Sequence, residues 1–448
     1  MKMDINKLAI QNPWWQGESL EYDPVLEESD SKKKFFDWKI FQGSDWLCDN
    51  IYLVQGPRGI GKTTLFKNRI RDLLESDGFS PFRIFYYSCY NLSGLEELEE
   101  AIKTFIKDSR RRKERKRLYI FLDEATAIKD WQYGLLRLKK SGLFKNVTVI
   151  CSGSMAERSV RPEIKVKDIH PLSFRRFVSL SRPELEGRTP AGKILDYYLD
   201  AYFLTGGFPS AINDFYINNT VKQNIYDNFL YWLIADITFA GRDMFLAGQI
   251  LKNILSTAGR PTGYKTLAEE TKAKTHATIK DYVDIFERMF GIRIAYHIDD
   301  HRSLNSSKAK KIYFRDPLLF WLFYCYTNNS LHYWRLSRQR LHRYDIFQYL
   351  SEQVVFDHLA KIKGIKMVGY KRDVYRHEEI DFLAVTPRES IPVMVANPNK
   401  KSAESKEILK RAGFRQGIIV GDDKDAGGKI KTVPLTDLLW NLEEYFNI

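Results

Sequence analysis

The chain has 448 residues, 44% hydrophobic and 28% charged, a globular composition long enough for two or three domains and too long for one ordinary core. No stretch approaches the roughly 20 uninterrupted apolar residues that a membrane-spanning helix needs, which argues against a membrane protein of that kind. A formal net charge of +13 suits an anionic partner such as nucleic acid, and serves solubility equally well.

Residues 1–45 read as a leader. Met1 to Trp15 mixes Lys2, Asp4, Lys7, Gln11 and Asn12 among apolar residues, which leaves no signal-peptide core and points to the cytoplasm. Asn12-Pro13-Trp14-Trp15 is an aromatic cluster with no visible catalytic chemistry, and the acidic and polar stretch Glu27 to Lys33 follows it. Cys48, Cys89, Cys151 and Cys325 lack CxxC spacing, so neither a zinc site nor a disulfide framework is expected.

From Ile51 short apolar runs alternate with amphipathic segments, the pattern of an α/β domain with a parallel sheet. Strands are predicted over Ile51 to Gln55, Arg83 to Ser88, Leu118 to Asp123 and Val147 to Ser152, and helices over Lys62 to Leu74, Leu95 to Lys107 and Trp131 to Lys139. Between the first strand and helix stands Gly56-Pro57-Arg58-Gly59-Ile60-Gly61-Lys62-Thr63, followed by Thr64. This is the GxxxxGK[ST] phosphate-binding loop in the context it requires: backbone N–H groups and a helix N-terminus around phosphates, Lys62 as a point charge, and the Thr63 hydroxyl for Mg²⁺. The implied ligand is ATP with Mg.

Leu118 to Glu124 is an apolar strand ending in two carboxylates. As a Walker B strand it offers Asp123 to Mg²⁺ and Glu124 to orient and deprotonate the attacking water; an acidic helix cap is the plainer alternative. On the next strand Ser154, or Ser152, would lie beside the γ phosphate, unless the pair only ends the strand. Arg158 and Arg161 read as phosphate sensors, as a finger for a neighbouring subunit, or as surface residues. Arg110 to Arg117 places seven cations in eight residues on a loop far from the ATP site, either a phosphate-binding patch or a solvated connector.

Beyond Pro171 the pattern is helical, with Ile194 to Thr205 and Val221 to Ile234 forming a lid over 176–243. Ala247 to Thr257, Lys265 to Lys272 and Thr275 to Met289, then strands over Gly291 to Ile298 and Lys310 to Phe314, make a winged helix over 244–335. Its third helix would read DNA, with Lys272, Lys274, His276 and Lys280 near its start and Lys308 and Lys310 on the wing. The same residues serve equally as a solvated face of a protein-interaction lid. A small α/β domain over 345–448 takes strands from Ile365 to Tyr370, Ile380 to Val385, Ile391 to Ala396 and Gln416 to Val420.

Taken together, Gly56 to Thr64, Leu122-Asp123-Glu124, Gly153-Ser154, His170-Pro171-Leu172-Ser173-Phe174 and Gly206-Gly207-Phe208-Pro209 resemble the archaeal and bacterial AAA-type, STAND-related ATPases. In those proteins a P-loop core, here 46–175, precedes a winged helix and a degenerate nuclease-like domain. The resemblance implies that Pro209 lies near the adenine; a break between helices explains the same residues. It also implies a carboxylate centre at Glu379-Ile380-Asp381-Phe382, where Met394 and Ala396 stand in place of the Glu and Lys that metal-dependent cleavage needs. The overall expectation is an ATPase acting on double-stranded DNA or a protein, possible as a homo-oligomer. The alternative is a slow nucleotide-gated switch or scaffold.

Overall fold

The structure, a computed structural model, describes residues 4–31, 49–114, 116–188, 190, 192–257, 259–269, 271–273, 275–396, 402–421, 425 and 427–446. It divides into two compact units, Met1–His170 and Pro171–Ile448.

The first unit is built on five parallel strands: β1 (Ile51–Gln55), β2 (Ile84–Ser88), β3 (Leu118–Asp123), β4 (Val147–Gly153) and β5 (Ile164–Asp168), in the order β2-β3-β4-β1-β5. Helices bear on the sheet, so β1, β3 and β4 are near-continuous buried runs rather than alternating ones. Leu98, Ile102 and Phe105 of helix Leu95–Arg111 and Leu135 of helix Trp131–Lys140 share a core with Leu53, Phe85, Ile120 and Val149. Burying one such side chain contributes about 1.5–3 kcal/mol. With β4 between β1 and β3, the C-terminal ends of three adjacent strands carry the phosphate loop, the Asp123-Glu124 pair and the Ser152 to Ser154 segment.

Two features of this unit depart from the expectation. β5 was absent from it because Ile-Lys-Val-Lys-Asp is an edge strand with three exposed positions and reads as a polar loop. The Arg110 to Arg117 block is not wholly a loop, since helix Leu95–Arg111 takes in its first residues. Arg111 and Arg112 pair with Asp108 and Arg110 donates to the Leu143 carbonyl, so much of that charge is held locally.

The outer strand β2 would otherwise leave backbone groups unanswered, a liability at a sheet edge. The N-terminal segment answers them with side chains. Asn12 Oδ1 accepts from Tyr86 N at 2.7 Å and Asn12 Nδ2 donates to the Tyr86 carbonyl at 2.9 Å. Gln11 Oε1 accepts from Ser88 N at 2.8 Å, and the indoles of Trp14 and Trp15 donate to the Ile84 carbonyl. Trp15 also stacks on Phe105, with ring centroids 5.8 Å apart.

The second unit begins with helices Phe174–Ser181, Gly192–Thr205, Pro209–Asn218 and Gln223–Phe239. Helices Met244–Ser256, Tyr264–Ala268 and His276–Arg288 follow, then β6 (Ile292–Ala295), the short hairpin β7 (His297–Ile298) and β8 (Leu304–Asn305), and β9 (Lys311–Phe314) antiparallel to β6. A bridge between Thr262 and Lys310 adds a third strand position beside β9. Helix Pro317–Thr327 is almost wholly buried, and its uniform apolarity leaves no helical period in the sequence. Helices Tyr333–Arg340 and Tyr344–Leu359 lead to β10 (Met367–Asp373), β11 (Glu378–Val385), β12 (Ser390–Val395), β13 (Gly417–Val420) and β14 (Ile430–Val433). The hairpin expected from Gly291 to Ile298 and Lys310 to Phe314 is β6 paired with β9 in a sheet of its own, while β7, the end of the first of those expected strands, joins β8 and the strands from 345–448 in the sheet β14-β13-β12-β11-β10-β7-β8.

Asp316, fully buried, ties two parts of this unit. Its carboxylate accepts from Gly207 N and Leu318 N, each at 2.8 Å, and burial pushes its carboxyl up to about 7. Gly206 has φ +63° and a Cβ there would lie 1.8 Å from Asp316 Oδ1, so the Gly206-Gly207 pair is a steric requirement. Nearby, His358 Nε2 accepts from Phe174 N at 2.9 Å.

Candidate functional site

The phosphate loop leaves β1 at Gln55 and enters helix Lys62–Leu74 at Gly61, whose φ of +97° is a left-handed conformation that glycine adopts without a Cβ penalty. The helix start leaves its first N–H groups without helical acceptors, the usual cradle for phosphate. Gly56, Pro57 and Ile60 are buried, Gly59, Thr63 and Thr64 are half-buried, and the Arg58 guanidinium lies 5.4 Å from the centre of the Tyr90 ring. Lys62 is buried. Its ammonium donates to the Gly56 carbonyl at 2.9 Å, the Pro57 carbonyl at 3.1 Å and Ser154 Oγ at 2.8 Å, and lies 3.5 Å from Glu124 Oε1. Burial pulls the Lys62 ammonium below its ordinary range, and the Glu124 and Asp123 carboxylates oppose that shift.

At the end of β3, Thr63 Oγ1 donates to Asp123 Oδ2 at 2.7 Å and the Tyr86 phenol donates to the same oxygen at 3.0 Å. Ser152 Oγ donates to Asp123 Oδ1 and accepts from Glu124 N at 2.8 Å. Glu124 itself has φ +55°, which ends β3 sharply. Its carboxylate accepts from Ser154 N at 3.0 Å and from the Ser154 hydroxyl. The structure thus brings Lys62, Thr63, Asp123, Glu124 and Ser154 into one hydrogen-bonded group. A hydroxyl and a carboxylate converging beside a phosphate cradle is the donor set of a cation that also binds phosphate oxygens, so these residues fit Mg²⁺ with ATP.

Two contributors, Tyr86 and Lys67, escaped sequence reasoning. Tyr86 looked like one more aromatic in an apolar strand. Lys67, one turn along the helix from the loop, lies 4.1 Å from the centre of the Tyr86 ring and 2.9 Å from Asp23 Oδ2. Ser152, the lesser candidate for the phosphate side, also holds Asp123 and Glu124. Arg158 and Arg161 are exposed on the segment after β4.

The remaining candidates lie in the second unit. Pro209 is the first residue of helix Pro209–Asn218, directly after the turn held by Asp316. Lys272, His276, Lys280 and Lys308 are exposed, with Lys272 4.8 Å from the centre of the Phe245 ring, while Lys274 lies outside the described residues. Lys310 departs from the expectation of an exposed wing cation. It is 5% exposed, pairs by backbone with Thr262, donates from Nζ to the Lys308 carbonyl and lies 4.5 Å from the centre of the Tyr264 ring.

In the C-terminal sheet Asp381 stands on β11, and its carboxylate accepts from Val395 N at 2.8 Å; Met394 is buried. The lysine beside it comes from β9. Lys311, 1% exposed, has its ammonium 3.0 Å from Glu379, 3.6 Å from Asp381 and 3.6 Å from Glu352 of helix Tyr344–Leu359. Tyr313 donates to Glu352 at 2.7 Å. Lys311 and Tyr313 share the inward face of β9, a period-two signal present in the sequence. Among the described residues no group of three or more His, Cys, Asp or Glu is arranged to hold a metal.

Residues 49–178 match a family described as an AAA domain, and residues 196–322 match a domain of unknown function, DUF8612. An uncharacterized protein of Methanocaldococcus jannaschii is 22% identical over 92% of this chain and 90% of its own length. Among solved structures, C. elegans PCH-2 is 14% identical with TM-score 0.23, covering 35% of this chain and 51% of its own. A signal transduction ATPase with numerous domains (STAND), with a tetratricopeptide repeat sensor, from Pyrococcus horikoshii is 13% identical with TM-score 0.26, covering 69% of this chain and 46% of its own. The chain spans about half the length of those two solved chains. The parallel sheet, the loop that follows β1 and the AAA match together identify the first unit as a P-loop NTPase fold.

Proposed function

We propose that this protein is a Mg-dependent ATPase that binds ATP at Gly56 to Thr64, hydrolyses it with Glu124, and couples hydrolysis to a conformational change that acts on double-stranded DNA or a protein partner. The observation that supports this reading most is the convergence of Lys62, Thr63, Asp123, Glu124 and Ser154 from three neighbouring strand ends.

In this reading Lys62 binds the β and γ phosphates as a point charge, and Thr63 and Asp123 hold Mg²⁺, which neutralises charge on the phosphates. Glu124 accepts the proton of the attacking water, and Ser154 orients that carboxylate by a hydroxyl and an N–H contact. Pro209 contacts the base in the same proposal. The helices from Met244 to Arg288 with β6 and β9 act as a winged helix that meets DNA through Lys272, His276, Lys280 and Lys308. The β10–β14 region acts as a nuclease-like module without metal chemistry, a reading that the ammonium of Lys311 among its carboxylates supports. The protein works in the cytoplasm, and assembly into a homo-oligomer is part of the proposal.

ATP turnover with and without double-stranded DNA over a salt series tests the coupling. Stimulation that fades as salt rises is the expected result. Turnover indifferent to DNA would shift the output to a protein partner.

A further inference from the structure

Asp123 is held by more than the phosphate site needs. Thr63 and Tyr86 both donate to Oδ2 and Ser152 donates to Oδ1, so the plane of the carboxylate is set before any cation arrives. Of these donors only Tyr86 belongs to neither the phosphate loop nor the strand ends beside it. It lies on β2, and its position is set from outside the sheet. The Asn12 amide grips both backbone groups of Tyr86, and the Asn12 side chain is itself fully buried and also donates to the Leu8 carbonyl at 2.7 Å. Lys67 covers the phenol ring and is anchored on Asp23, the residue that caps helix Pro24–Asp30. A side-chain amide that answers an edge strand would protect that edge anywhere along β2. Here it grips the β2 residue whose side chain reaches Asp123.

We propose that Tyr86 is a positioning residue for the cation-binding carboxylate of Asp123, and that the N-terminal segment from Leu8 to Asp23 sets it, making this segment a working part of the nucleotide site. The inference rests on the reading of Asp123 as a Mg²⁺ ligand. Removing the Tyr86 hydroxyl leaves Thr63 as the remaining one of these two donors to Asp123 Oδ2 and lets the carboxylate turn from the direction the pair sets.

The test is equilibrium binding of a fluorescent ATP analogue at a series of Mg²⁺ concentrations, with wild type, Tyr86→Phe and Lys67→Met. In wild type Mg²⁺ tightens binding. In Tyr86→Phe the Mg²⁺ needed for half the tightening rises by about tenfold, as loss of one hydrogen bond to a charged group gives, while affinity without Mg²⁺ is unchanged. Lys67→Met moves the Mg²⁺ midpoint in the same direction by less, without touching Asp123. A wild-type midpoint in Tyr86→Phe overturns the inference. Failure of the underlying reading looks different: Mg²⁺ then leaves the binding of wild type unaltered, or binding survives Lys62→Ala.

Discussion

The Lys62 ammonium and the Glu124 carboxylate stand 3.5 Å apart, both bound to the Ser154 hydroxyl, so the group meant for phosphate and the group meant for water answer each other directly. In the proposed reaction a γ phosphate would compete with Glu124 for Lys62, and its binding would release the carboxylate for water. The site is thereby coupled internally before any partner acts on it.

Lys62→Ala removes the ammonium that donates to the Gly56 and Pro57 carbonyls of the loop. ATP affinity should fall by about 10–100-fold, the worth of a charge-assisted contact, as read by equilibrium binding. Because Lys62 is buried, thermal unfolding without nucleotide should be run alongside to show that the fold persists. Undiminished affinity would remove the loop from the account.

Lys311→Met leaves Glu352, Glu379 and Asp381 facing one another without their cation. Breaking a buried ion pair by removing one partner costs about 3–5 kcal/mol. Chemical denaturation of the variant should show a loss of that order, partly recovered by adding Asp381→Asn. A neutral substitution would mean that the carboxylates are not held by Lys311.

His358 accepts a backbone N–H at Nε2 and is therefore neutral, and burial lowers its pKa from 6.5 to about 4. The folded state then binds fewer protons than the unfolded state between these two values. Its contribution is complete above about 6.5 and is lost as pH falls toward 4. The stability difference between wild type and His358→Gln should therefore grow as pH rises across that window and level off above it. A difference that is flat with pH would contradict the neutral, buried assignment.

Much of the first unit was legible because its signals are contiguous. Ile51 to Gln55 runs straight into Gly56 to Thr63, and Leu118 to Asp123 ends in its carboxylates, so strand, motif and role lie within a few residues. What escaped the sequence depends on neighbours distant in the chain. Tyr86 matters because the sheet order sets β2 beside β3, and Lys311 because β9 meets helix Tyr344–Leu359 and β11. β5 was hidden by exposed lysines, and helix Pro317–Thr327 by burial on every side. Lys310, read as a wing cation, is covered because its backbone pairs with Thr262.

In the proposed reaction Glu124 activates water on ATP held by Lys62. The measurement that bears on it most directly is ATP binding and turnover by wild type and Glu124→Gln, side by side. Nucleotide binding should be retained in the variant, with turnover lower by about 10²–10⁴-fold, the usual contribution of a general base. Equal turnover in the two proteins would contradict it.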